Sequence, residues 1–208
     1  MWDIGGYAKT IAAAQFIDII PKGYPVEYKI IRSSRKTMAL DVRPEGVIVR
    51  VPLKASQKAI EAFLLREADW LREKTSLVER RRREAETAGK LTEADIRALG
   101  EQALRVIPER VRFYAEKIGV TYGRITIRNQ RTKWGCCMQN GNLSFNCLLM
   151  LAPPEVLDSV VVHELCHRKE MNHSPAFYAE VLRAFPDYYK WHDWLRKNGG
   201  ILIGRMLL

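Results

Sequence analysis

Residues 163–167 read His163-Glu164-Leu165-Cys166-His167, two imidazoles four positions apart with a carboxylate beside the first. On a helix the i and i+4 side chains share a face with Cβ atoms about 5–6 Å apart, so both rings can reach one zinc at about 2.0–2.1 Å. Glu164 lies about 100° further round, off the metal axis but within reach of a metal-bound water, where a general base belongs. A catalytic zinc takes a third protein ligand and leaves one position to water. His173, six residues after His167, is the leading candidate for it, and Glu170, on the face of His163, is the rival. Cys166 as a fourth ligand would close the site and leave Glu164 a buried carboxylate without a task. The plainer alternative, core histidines satisfied by carbonyls, fits a lone histidine better than an HExxH, whose chance occurrence in such a chain is on the order of one in a few hundred.

These residues need a helix to carry them, and the pattern supplies one from Pro154 to about Met171, with proline in the first turn where its missing N–H costs nothing. It is apolar nearly all round and so must be buried. Asn172 can end it, and Ser174-Pro175 can cap and start the next. His192 falls in the aromatic stretch DYYKWHDWL and reads as packing or surface. Upstream, RITIR (124–128) and NLSFN (142–146) alternate as strands. Between them Arg131-Thr132-Lys133-Trp134-Gly135-Cys136-Cys137 reads as a loop, its cysteines lacking the spacing of a zinc ribbon.

Thr92 with Asp95 forms a capping-box pattern opening a helix to Ile118, with Gly119 as its stop and Pro108 expected to kink or split it. Ser56 opens an earlier helix, with Ile60, Phe63, Leu64, Ala68 and Leu71 at helical spacing, running to about Gly89 through Arg80-Arg81-Arg82-Arg83. Four consecutive helical positions point four ways, so the arginines read as a solvated face rather than a phosphate patch. Val26–Ile31, Met38–Val42 and Val47–Val51 read as an antiparallel meander, with Pro44-Glu45-Gly46 as one turn. The expected fold is α+β: residues 16–90 hold the meander and a long basic helix, 91–208 a catalytic unit with a small sheet on the HExxH helix, and 1–15 are unassigned.

With 208 residues, 47% apolar and 28% charged, the chain can bury a core without cross-links, and its composition excludes disordered and collagen-like classes. The stretch Ile4–Ile20 is interrupted by Lys9 and Asp18, so neither a signal peptide nor a membrane helix is expected. Cys136, Cys137, Cys147 and Cys166 include no CxxC pair and read as reduced thiols of a cytoplasmic protein. A net charge of +10 permits a polyanionic partner such as nucleic acid without demanding one.

Several segments together resemble the YgjP-like metal-dependent hydrolases, relatives of the zincin metallopeptidases and more distantly of SprT-type and WLM-type proteases. They are RTKWGCC, NLSFN with Leu148-Leu149, the Pro153-Pro154-Glu155-Val156 helix start, VVHELCHRKEMNHSPAFY and Phe185-Pro186-Asp187-Tyr188, with RSSRKTMALDVRPEGVIVRVP earlier. The resemblance spans roughly residues 20–198 and implies a zincin-like fold, His163, His167 and His173 as zinc ligands, and Glu164 as general base. It departs at the loop, where the family usually has Arg-Trp-Gly-Ser-Cys and this chain has Lys133 and Cys136 in place of the Arg and Ser.

The expected activity is therefore a zinc-dependent, metallopeptidase-like hydrolase, with zinc held by neutral ligands activating water near neutral pH. A peptide substrate could pair with NLSFN if that strand is an edge. Arg131, Tyr178 and Tyr188 are candidate stabilisers of the oxyanion. The resemblance also implies an alternative, a nucleoside triphosphate pyrophosphatase. A DNA-associated SprT-like protease and a purely structural zinc protein complete the set.

Overall fold

The computed structural model describes residues 15–17, 26–43 and 46–206. Most of the unassigned segment 1–15 and of the Ile4–Ile20 stretch, and the turn residues Pro44 and Glu45, lie outside them. The chain divides into two compact units, Met1–Arg83 and Glu84–Leu208.

In the first unit β1 (Gln15–Ile17), β2 (Val26–Ser33), β3 (Ala39–Arg43) and β4 (Gly46–Pro52) form one sheet of order β1-β2-β4-β3. β2 and β4 run parallel, Tyr28 opposite Val47 and Ile30 opposite Val49, while β3 pairs antiparallel with β4 alone. The expected antiparallel meander is thus a mixed sheet. Alternation in sequence specifies which face of a strand is buried but not which strand lies beside it. Here the most apolar strand takes a central place: Val47, Val49 and Val51 are all buried, and β3 goes to the edge.

Ser56 caps α1 (Gln57–Arg66), accepting from the Ala59 N–H, and Ile60 and Leu64 stack one turn apart into the core with Tyr28, Ile30 and the β4 valines. The helix that the pattern runs unbroken to Gly89 is interrupted at Glu67, where ψ is 9°, and α2 (Ala68–Thr87) follows.

The second unit is organised by α3 (Glu93–Ile118). Thr92 and Asp95 make the reciprocal capping box, and Gly119 ends the helix at φ 77°. A backbone there with positive φ favours glycine, which has no Cβ to strain. Pro108 does not split α3. The carbonyl it would leave without a donor is that of Leu104, four residues back, and Leu104 is 61% exposed, so water can take the bond.

β5 (Ile125–Arg128), β6 (Gly135–Cys137) and β7 (Leu143–Asn146) form a sheet of order β5-β7-β6. NLSFN is therefore central, parallel to β5 and antiparallel to β6, with every residue of β7 buried, and the expectation that it offers an edge is overturned. The edges are β5 and β6, the latter inside the stretch that composition marks as loop. A short 3-10 helix (Cys147–Leu151) leads to α4 (Pro154–Cys166), then α5 (Pro175–Ala184) and α6 (Tyr188–Gly204). The core joins α3, β7, the 3-10 turn and α4–α6. Among the described residues no helix is long and apolar enough to cross a membrane.

Candidate metal centre

α4 is held in place from below. Asp158 is buried and receives a two-pronged ion pair from Arg110 of α3, at 2.7 and 2.5 Å, with a third bond at 3.2 Å from the Tyr114 hydroxyl. A carboxylate met bidentately by arginine is a strong, directional pair, so α4 is fixed in rotation as well as in depth. That rotation turns His163 and Glu164 out of the core and into a cleft of about 460 Å³.

The regular helix ends at Cys166, earlier than the sequence pattern suggests, and His167 is its C-cap. The chain then turns sharply. The Arg168 guanidinium donates to the carbonyls of Thr121 (3.0 Å) and Gln139 (3.2 Å), while Lys169 pairs with Glu180 at 2.8 Å. The turn brings His173 back over the helix, its Nε2 3.0 Å from that of His163, which is 3.3 Å from that of His167. Among the described residues these three side chains form a cluster of ligating type, their donor atoms all within 4.8 Å.

The outer nitrogens are also engaged. His167 Nδ1 lies 3.1 Å from the Glu170 carbonyl, which can only accept, so Nδ1 carries the proton and Nε2 presents its lone pair inward. His163 Nδ1 meets the Tyr188 hydroxyl at 2.9 Å. Burial, then the neighbouring imidazoles, pushes His163 down to about 3, and burial lowers His167 too, so both are neutral. Phe177, fully buried, forms the floor: it stacks on His167 with centroids 4.6 Å apart and meets His163 and His173 edge-on. Imidazoles converging through Nε2, two with their second nitrogens oriented by protein partners, are a donor set that suits zinc. The residues present fit a divalent metal.

Glu164 faces the same cleft, 7% exposed, and burial raises its carboxyl to about 7 against the opposing pull of the Cys137 N–H and the Lys133 ammonium. Gly135 of β6 is the residue that makes room for it, since a Cβ there would stand 2.6 Å from Glu164 Oε1.

The other candidates sort clearly. Glu170 contributes its backbone carbonyl to His167 and its carboxylate is not in the cluster. His192 lines the cleft and stacks on Tyr188 at 5.4 Å, outside the cluster. Cys166 is fully buried, its thiol pushed up to about 12, while Cys136 and Cys137 lie along the cleft wall; none joins the histidines. Tyr188 orients His163, Tyr178 packs 6.2 Å from His173, and Arg131 is exposed. Sequence reasoning misses Phe177 and Gly135. Phe177 had a signal in Ser174, whose hydroxyl caps the Phe177 N–H at 3.2 Å and so sets where that ring falls.

A buried carboxylate stands beside three converging imidazoles that could hold a metal ion, and the helix that carries the carboxylate packs against a small sheet. The chain matches the model of the YgjP-like metallopeptidase domain over residues 36–102 and 89–198. It belongs to the YgjP-like family and is a metal-dependent, peptidase-like hydrolase. Two solved structures are similar over part of it. The metallopeptidase zymogen abylysin of Pyrococcus abyssi is 19% identical, over 43% of this chain and 91% of its own, with a TM-score of 0.41. The metallopeptidase zymogen jannalysin of Methanocaldococcus jannaschii is 20% identical, over 45% of this chain and 96% of its own, with a TM-score of 0.40. No curated protein matches the chain.

Proposed function

We propose that this protein is a zinc-dependent peptidase in which His163, His167 and His173 hold the metal through Nε2 and Glu164 is the general base. The observation that carries the reading is the convergence of the three Nε2 atoms, 3.0 and 3.3 Å apart about His163, in the cleft that Glu164 also lines. Bound zinc would supply Lewis acidity, lowering the pKa of water and polarising the scissile carbonyl. Glu164 accepts the proton released by the attacking water on a carboxylate oxygen and delivers it to the leaving amine. A carboxyl held at about 7 suits both halves of that transfer, because neither form is strongly preferred at neutral pH. The Cys137 N–H orients the carboxylate, and Tyr188 and the Glu170 carbonyl keep two imidazoles in register. β6, at the sheet edge beside Glu164, is the strand along which an extended peptide would pair.

The test joins elemental analysis with turnover of unstructured proteins and nucleoside triphosphates, for wild type and Glu164→Gln. Near one zinc per chain is expected in both, with proteolysis falling about 10²–10⁴-fold in the variant. Equal turnover in the two would remove the general base. Hydrolysis of triphosphates alone would replace the peptide substrate.

A further inference from the structure

The loop Arg131–Trp134 carries a cation into the metal cleft, and three separate contacts fix where it stands. Asn146, 1% exposed at the end of β7, donates from Nδ2 to the carbonyls of Gln130 (2.7 Å) and Lys133 (3.0 Å), while its Oδ1 accepts from the Leu148 N–H at 3.1 Å. Trp134 lies on α6 at Gly199, where a Cβ would come within 2.9 Å of the indole. Gly135 rests against Glu164. A lysine on a free loop holds an anion weakly, because both side-chain entropy and solvent oppose the pair. Here the backbone beneath Lys133 is already immobilised.

The surroundings leave that ammonium in want of a partner. Lys133 lines the cleft and makes no ion pair there; the one acidic side chain in the same wall, Glu164, is buried against Gly135. Much of the rest of the wall is apolar, with Trp134, Val160, Met171 and Leu195, and the exposed Lys133 is the one lysine or arginine that lines it. A single ammonium with no arginine in the same wall suits one carboxylate better than the several phosphoryl groups of a nucleotide, which sites commonly meet with clustered cations or backbone N–H groups.

We propose that Lys133 is a specificity determinant of this cleft and takes the carboxylate of an aspartate or glutamate side chain beside the scissile bond of a peptide. The inference deepens the peptidase reading and rests on it for the class of substrate.

The test uses pairs of labelled peptides, identical except for Asp or Asn at positions flanking a cleavage site. Their binding to zinc-loaded Glu164→Gln protein is measured by fluorescence anisotropy, and their hydrolysis by protein with Glu164 intact, each with and without Lys133→Met. The acidic member should lose about tenfold in affinity and in kcat/KM when the charge is removed, while the neutral member stays within about twofold. Lys133→Glu should invert the preference toward peptides carrying lysine at that position. Equal losses on both members, or a fall in kcat on both with KM unchanged, would assign the ammonium to Glu164 and overturn the proposal. So would the failure of any peptide to bind, or lysine-dependent binding of nucleoside triphosphates alone. Peptides bound through Lys133 yet never cut would instead sustain the inference and break the peptidase reading.

Discussion

In the first unit β4 enters between β2 and β3, parallel to one and antiparallel to the other; in the second, β7 enters between β5 and β6 in the same way. The wiring is shared, but the central strands are filled differently. β4 buries alternate residues, all of them valine, while β7 buries all four of its residues, including Ser144 and Asn146. A strand buried on one face needs only apolar side chains there. One buried throughout with polar groups must find hydrogen bonds for them, and the Asn146 carboxamide finds them in the loop and the turn that frame the cleft. The same topology thus serves as a plain core in one place and as the support of a metal site in the other.

The sharpest way to break that contrast is to cut one side chain from each central strand. Phe145→Ala should cost about 3–5 kcal/mol and lower metal occupancy, because Phe145 is fully buried in the core that carries α4. Val49→Ala should cost about 1–3 kcal/mol and leave zinc affinity unchanged, since the histidines all belong to the other unit. Chemical unfolding with parallel zinc titration reads both, and a loss of zinc affinity with Val49→Ala would end the distinction.

Next in size is Tyr188→Phe, which keeps the ring and removes the hydroxyl on His163 Nδ1. Zinc affinity should fall about 10- to 100-fold with the fold intact, the usual cost of losing a partner behind a metal ligand. An unchanged dissociation constant would show that packing alone aims the imidazole.

Glu180 gives the smallest effect. Its hydrogen bond with Arg183, then that with Lys169, holds its carboxyl down from 4.5 to about 2. A depressed carboxyl stabilises the fold above its unfolded value, so that contribution is present at pH 7 and fades as the pH falls from about 4.5 to 2. Glu180→Gln should lower Tm by about 1–2 °C at pH 7, as a surface network allows, and by progressively less toward pH 2, measured on metal-free protein. A constant difference across that range would detach the effect from the charge.

What the sequence disclosed was local. The HExxH pair, the Thr92–Asp95 box and the Ser56 and Ser174 caps depend on hydrogen bonds and faces a few residues apart, and each stands where its spacing puts it. The partners of strands were not legible, because alternation in β2, β3 and β4 is equally consistent with either neighbour. The return of His173 depends on Arg168 reaching carbonyls 47 and 29 residues away, and the partner of His163 is a tyrosine 25 residues on. No short pattern records such contacts.

Gly135 and Gly199 each lie under a side chain of the cleft, the first beneath the Glu164 carboxylate and the second beneath the Trp134 indole. In a saturation scan for catalysis these two positions should look as intolerant as the histidines, although neither carries a functional group. A tolerance map of this cleft would therefore trace two kinds of constraint at once, residues selected for the atoms they bring and residues selected for the volume they leave free.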